Sequence, residues 1–278
     1  MSAEQEIRIG NLTEALVQLQ DEVRKDPADA KKRVFLFQLL CVLGEWKRAL
    51  VQLSVAGQLD AGTIPMVQTY REALRCEVFR ADVFTGRRLP LVFGKPAEWV
   101  ALLIEALRCD SEGRPDEARK FRDRAFETAR AVPGRVGNME FSWIADADTR
   151  LGPVLEAVIE GRYYWVPFET IGRIVIEKPE DLRDVVWMPA HMFWTNGGDS
   201  VALLPTRYPG SEVSGDPAIR MGRRTEWIER ISGLSTGVGQ RMLATDVSEY
   251  ALMDVREIVL DHPEAETTGS GALGSPNG

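Results

Sequence analysis

Two carboxylates stand two residues apart in Trp143-Ile-Ala-Asp-Ala-Asp-Thr-Arg150. On an extended segment Asp146 and Asp148 project from one side, where they could hold a divalent cation or divide acid and base work between them. The blander reading, which the frequency of such pairs at helix entries favours, has them cap a helix beginning near Pro153 and pair with Arg150 or Arg162. Histidine is scarce, with only His191 and His262 in the chain. Any Ser-His-Asp or Cys-His scheme would therefore run through His191, in Met188-Pro-Ala-His-Met-Phe-Trp194, as general base. Its apolar neighbours favour the other reading, a core or interface histidine satisfied by a backbone group. Arg220, Arg223, Arg224 and Arg241, with Tyr208 and Trp227 close in sequence, could form an anion or acidic-peptide site, because guanidinium groups grip carboxylates bidentately. The same arginines could equally be spent on Asp184, Glu226 and Glu229. The run Gly233 to Gly239 has the glycines of a phosphate loop but not its Lys-Ser/Thr, and reads as a plain connection.

These residues need elements to carry them, and the chain offers two kinds. Gly10-Asn-Leu12-Thr-Glu-Ala15-Leu16-Val-Gln-Leu19 aligns with Gly44-Glu-Trp46-Lys-Arg-Ala49-Leu50-Val-Gln-Leu53 at a spacing of 34 residues, the tetratricopeptide period. A weaker third copy is Gly113-Arg-Pro115-Asp-Glu-Ala118. Glycine ends one helix and starts its partner, small alanine lets the two cross closely, and leucine one turn on fills their shared core. Helical spacing of apolar residues adds Ala30 to Leu43, Thr63 to Phe84 and Trp99 to Cys109, with Arg114 to Ala131 as a charged partner. Residues 1–132 thus read as a tetratricopeptide-like α-α superhelix, with Leu89 to Pro96 as a loop and a long groove suited to an amphipathic helix or an extended peptide.

Beyond Val132-Pro-Gly the character changes. Arg162–Val166, Gly172–Glu177, Val185–Met188, Ser200–Leu204, Gln240–Ala244 and Val255–Leu260 read as strands, and Asn196-Gly-Gly-Asp199 as a hairpin turn. Val154 to Glu160, followed by Gly161, reads as a helix, and Thr225 to Ile231 as another. Residues 137–261 are expected to form a smaller mixed α/β domain, and 262–278 a flexible Gly/Ser/Pro-rich tail. The whole is α+β.

Composition narrows the function. Of 278 residues 44% are hydrophobic and 27% charged, and 34 Lys+Arg against 42 Asp+Glu leave a net charge of −8. A chain this acidic lacks the drive toward phosphate backbones, so no nucleic-acid partner is expected. Cys41, Cys76 and Cys109 form no C-x-x-C, which speaks against structural zinc and for reduced thiols. MSAEQEIRIG has no basic stretch leading into an apolar one, and Val34 to Leu43 is too short to span a bilayer. A cytoplasmic protein without cofactor or membrane insertion is expected.

In order along the chain, Trp143-Ile-Ala-Asp-Ala-Asp-Thr-Arg-Leu-Gly-Pro153, Gly161-Arg-Tyr-Tyr-Trp-Val-Pro-Phe168, Leu182-Arg-Asp-Val-Val-Trp187, Pro205-Thr-Arg-Tyr-Pro-Gly-Ser211, Gly222-Arg-Arg-Thr-Glu-Trp227 and Gly239-Gln-Arg241 resemble the ImpE family, also called SciE or TagJ. The resemblance runs over essentially residues 1–261. It implies a non-enzymatic accessory protein of the bacterial type VI secretion system, with a tetratricopeptide-like superhelix ahead of an α/β domain. It implies as partner the N-terminal helix of the small contractile-sheath subunit, beside the AAA+ ATPase that dismantles the sheath. It brings no catalytic residues. The alternative is an enzyme of unknown reaction using Asp146, Asp148 and arginines in a C-terminal pocket.

Overall fold

The three repeat glycines all take up the left-handed conformation, at φ 90° for Gly10, 71° for Gly44 and 72° for Gly113. Each turns the chain between two packed helices: α1 (Ala3–Ile9) into α2 (Leu12–Lys25), α3 (Ala30–Val42) into α4 (Trp46–Leu59), and α6 (Glu98–Ser111) into α7 (Pro115–Thr128). The matching alanines Ala15, Ala49 and Ala118 are wholly buried, as are Leu19 and Leu53 one turn on. The third copy departs there: its equivalent is Arg122, buried and ion-paired with Asp110 at 2.5 Å. A long helix, α5 (Ile64–Phe84), stands between the second and third pairs. This computed structural model describes residues 1–229 and 234–262, so the tail beyond His262 and Gly233 of the glycine-rich run lie outside the described residues.

The second half is mostly strand. A nine-stranded sheet runs in the order β1-β6-β5-β9-β8-β7-β14-β2-β3. Its strands are β1 (Leu91–Val92), β2 (Gly134–Val136), β3 (Met139–Phe141), β5 (Val154–Ile159), β6 (Arg162–Pro167), β7 (Ile171–Ile176), β8 (Trp187–Trp194), β9 (Asp199–Pro205) and β14 (Glu257–Leu260). Smaller sheets pair β10 (Thr225–Glu229) with β11 (Ser235–Gly239), and β4 (Ile144–Asp146) with β12 (Met242–Thr245) and β13 (Glu249–Ala251). A four-residue helix, α8 (Pro217–Arg220), precedes β10. The α+β class stands, and Asn196 to Asp199 is indeed a hairpin turn between β8 and β9, with Gly197 at φ 87°.

Several local expectations are corrected. The segment expected as a helix from Val154 to Glu160 is strand β5 as far as Ile159. All six residues of β5 are buried, so neither alternation nor helical spacing was there to be read. The helix cap assigned to Gly161 is a two-residue hairpin turn, in which Glu160 and Gly161 both have positive φ, 50° and 71°. Asp146 and Asp148 therefore cap no helix at Pro153. Thr225 to Ile231 is not helical in its described part but strand β10. The loop Leu89 to Pro96 contains β1, which pairs in parallel with β6 and joins the helical half to the sheet. The strand placed at Val185 starts at Trp187, after a 3-10 turn at Leu182–Val185. Apolar packing is also shared: one buried cluster runs from Ala3, Leu39 and Leu103 through Tyr163, Trp165 and Trp187 of the sheet. A second fills the other side of the sheet, around Ile174, Met192 and Leu243.

Candidate functional site

Five of the expected site residues converge. Asp146, at the end of β4, accepts hydrogen bonds from the Tyr208 hydroxyl at 3.0 Å and from the Asp148 amide at 2.9 Å, and is ion-paired with Arg241. Asp148 is held by Arg150 at 2.5 Å and accepts the Gly237 amide at 3.0 Å. The two carboxylates do not face a common opening. Each is turned to its own arginine, because Asp148 lies past the strand end in a turn closed by the Leu151 and Gly152 amides on the Asp148 carbonyl.

At the centre of the cluster is a residue that no sequence motif marks. Glu156 of β5 is wholly buried and sits between two guanidinium groups, Arg241 on one side and Arg80 of α5 on the other, the latter at 2.6 and 2.9 Å. Tyr163 donates to the same carboxylate, and the Trp165 indole donates to Tyr163 at 2.9 Å. Arg80 continues to Glu77 at 3.4 Å, which accepts the Trp187 indole N–H at 2.9 Å. The Nε–H of Arg241 donates to the Pro205 carbonyl at 2.9 Å. The chain Asp146–Arg241–Glu156–Arg80–Glu77 thus crosses from the small sheet to helix α5 with its side-chain donors and acceptors engaged by protein atoms. Such a hydrogen-bonded, desolvated network braces a fold, and it presents no free acid, base or nucleophile. The one sequence signal for it is a lone acid in Val154-Leu-Glu-Ala-Val-Ile159, which a buried strand tolerates only with a partner.

Its electrostatics are lopsided. Burial alone would raise the Glu156 carboxyl, but Arg80 and Arg241 outweigh it and hold it at about 2. Burial pushes Asp146 up to about 6, with Arg241 only partly offsetting it. The two have opposite signs in linkage. Glu156 stabilises the fold above its ordinary value of 4.5, and that contribution is lost as pH falls toward about 2. Asp146 costs stability as pH rises from 3.8 to about 6, because the unfolded carboxyl releases its proton first. Urea unfolding across this range should show an Asp146→Asn variant rising relative to wild type between those two values. Parallel profiles would refute the assignment.

The other expected residues lie apart. His191 is on the outer face of β8, bonded to exposed Asp199 at 2.6 Å and lying against the Phe193 ring. It is thus neither a buried core histidine satisfied by a backbone group nor within a catalytic grouping. Arg223 reaches the end of α1, donating to the Arg8 and Ile7 carbonyls at 2.9 and 3.2 Å. Arg224 is half-exposed and paired with Asp216 and Glu226. Arg220 donates to the Ser214 carbonyl at 2.5 Å, and Trp227 leans on Tyr208 with centroids 5.7 Å apart. The arginines form no common anion site. Arg207, which the sequence did not single out, is buried and gives its guanidinium to main-chain carbonyls, Val42 at 2.9 Å and Arg220. Burial lowers it to about 10.

Beside the cluster an open cleft of about 360 Å³ separates the end of α7 from β4. Phe126 and Trp143, both partly exposed, stand at it with Ala129, Ala145 and Pro153, and Arg130 adds a charge. Among the described residues no group of three His, Cys, Asp or Glu side chains is placed to hold a metal ion, and no helix is long and apolar enough to cross a membrane.

Residues 138–259 match the family described as ImpE protein. The chain is 51% identical over 265 residues to the type VI secretion system accessory component TagJ of Pseudomonas aeruginosa, covering 95% of this chain and 93% of that one. The crystal structure of a protein from Vibrio parahaemolyticus shares the fold, with a TM-score of 0.85 at 22% identity over 94% of this chain and 97% of the other.

Proposed function

The chain belongs to the ImpE family, and on that premise we propose that it serves a type VI secretion system as a non-catalytic adaptor, holding the N-terminal helix of the small contractile-sheath subunit. The observation that carries this reading is the 51% identity, over almost the whole chain, to an accessory component of that system. Two structural features support it. The conspicuous carboxylates and arginines of the second half are consumed in bracing, so their chemistry needs no substrate to explain it. The cleft at Phe126 and Trp143 leaves apolar side chains in water, as a helix-binding surface requires. The role places the protein in the cytoplasm, beside the sheath and within reach of the AAA+ ATPase that takes it apart.

Calorimetric titration with a synthetic N-terminal helix of the cognate small sheath subunit tests the proposal. A one-to-one isotherm in the micromolar range or tighter is expected. Absence of heat with soluble peptide at high concentration overturns it. Phe126→Ala and Trp143→Ala, titrated in parallel, locate the partner: a loss of about tenfold, roughly 1.4 kcal/mol, seats the helix in the cleft, and unchanged affinity moves it elsewhere.

A further inference from the structure

The inner side of a helical repeat ordinarily presents its side chains to a peptide from outside. Here that side is filled from within the chain. Helix α3 is buried without a break from Leu36 to Val42. What lies against it is the turn Leu182–Val185 that leads into β8. Trp187, the first residue of β8, is completely buried between Trp46 of α4 and Tyr70 of α5, with ring centroids 6.1 and 5.8 Å away. Farther along α5, Phe79 meets Tyr163 and Phe84 meets Trp165, at 6.0 and 6.3 Å.

Polar contacts repeat the pattern helix by helix. Arg207 caps the end of α3 through the Val42 carbonyl, Arg223 caps the end of α1, and Glu156 takes Arg80 of α5. Arginines at helix C-termini satisfy carbonyls that have no partner inside the helix and complement the negative end of its dipole. The two kinds of contact do different work. Parting the surfaces would put several large aromatic side chains into water together, which is what holds them closed. The ion pairs would be hydrated on parting, so they add little to closure, but any shifted docking would strand a charge, and so they set its register.

We infer that the C-terminal sheet is the permanent occupant of the helical repeat's inner face, anchored by Trp187, and that helices and sheet open only together. No partner segment enters that groove. The inference goes beyond the adaptor reading and stands on contacts within the chain. If the sheath helix binds, it binds on the outside.

Native-state hydrogen exchange on the intact wild-type chain, followed by mass spectrometry through low concentrations of denaturant, tests it. Peptides from α3 and β8 are expected to exchange together, with the denaturant dependence of global unfolding. Exchange of either through a smaller, separate opening overturns the inference. A second arm adds the synthetic sheath helix at saturation. Protection spread over the core in proportion to overall stabilisation agrees with a closed groove, and protection confined to α3 and α5 contradicts it. If the peptide does not bind, the adaptor reading fails on its own, and the first arm still decides the groove.

Discussion

A Glu156→Gln variant is expected to lose about 3–5 kcal/mol of stability, the loss typical when one partner of a buried ion pair is removed. The carboxylate is wholly buried and neutralises two guanidinium groups, Arg80 and Arg241, which have only Glu77 and Asp146 besides it. Glutamine keeps the shape but leaves Arg80 only its longer pair with Glu77, and Arg241 only Asp146, in a desolvated interior. It also turns an amide N–H₂ toward groups that already donate. For a chain of this size the melting temperature should fall on the order of 10 °C. The exposed Asp199 is the internal control, because its bond to His191 is solvated and Asp199→Asn should cost less than about 1 kcal/mol. Thermal melts of the three proteins at neutral pH decide the matter. A Glu156→Gln melt no lower than that of Asp199→Asn would mean that the network is not what braces the fold.

Trp187→Ala should be as damaging, for a different reason. Removing a fully buried indole opens a cavity among Trp46, Tyr70 and α3, which costs about 3–5 kcal/mol for a large aromatic side chain. It also leaves Glu77, whose carboxyl burial already raises, without its N–H donor. Trp187→Phe separates the two effects. It keeps most of the packing and loses only the donor, so about 1–3 kcal/mol should go. Urea midpoints for both variants measure this, and equal losses would assign the whole effect to the hydrogen bond to Glu77.

The local pattern of the chain was readable where a period or a turn residue carried it. Gly10, Gly44 and Gly113, with Ala15, Ala49 and Ala118 behind them, mark helix pairs because close crossing demands small residues at a fixed offset. Asn196-Gly-Gly-Asp199 marks a hairpin because its turn needs positive φ. The same chemistry misled at Gly161. A glycine after an apolar run ends a helix or turns a hairpin with the same left-handed backbone, and only the positive φ of Glu160 beside it separates the two. In Val154 to Ile159 burial on both faces erased the alternation that would have declared a strand.

Within the candidate site, the nearness of Asp148 to Arg150 was legible, since a single residue separates them. Arg80 and Glu156 are 76 positions apart, and Arg241 lies 85 beyond Glu156. Nothing local pairs them. Helix spacing, strand alternation and turn chemistry are short-range steric and solvation preferences, so the sequence by itself determined the repeat, six of the fourteen described strands, the acidic surface and the family. Which guanidinium meets which carboxylate, and that the sheet rather than a partner fills the helical groove, only the tertiary structure decided. A buried charge selects its partner by desolvation, and that cost exists only after the aromatic surfaces around it have closed.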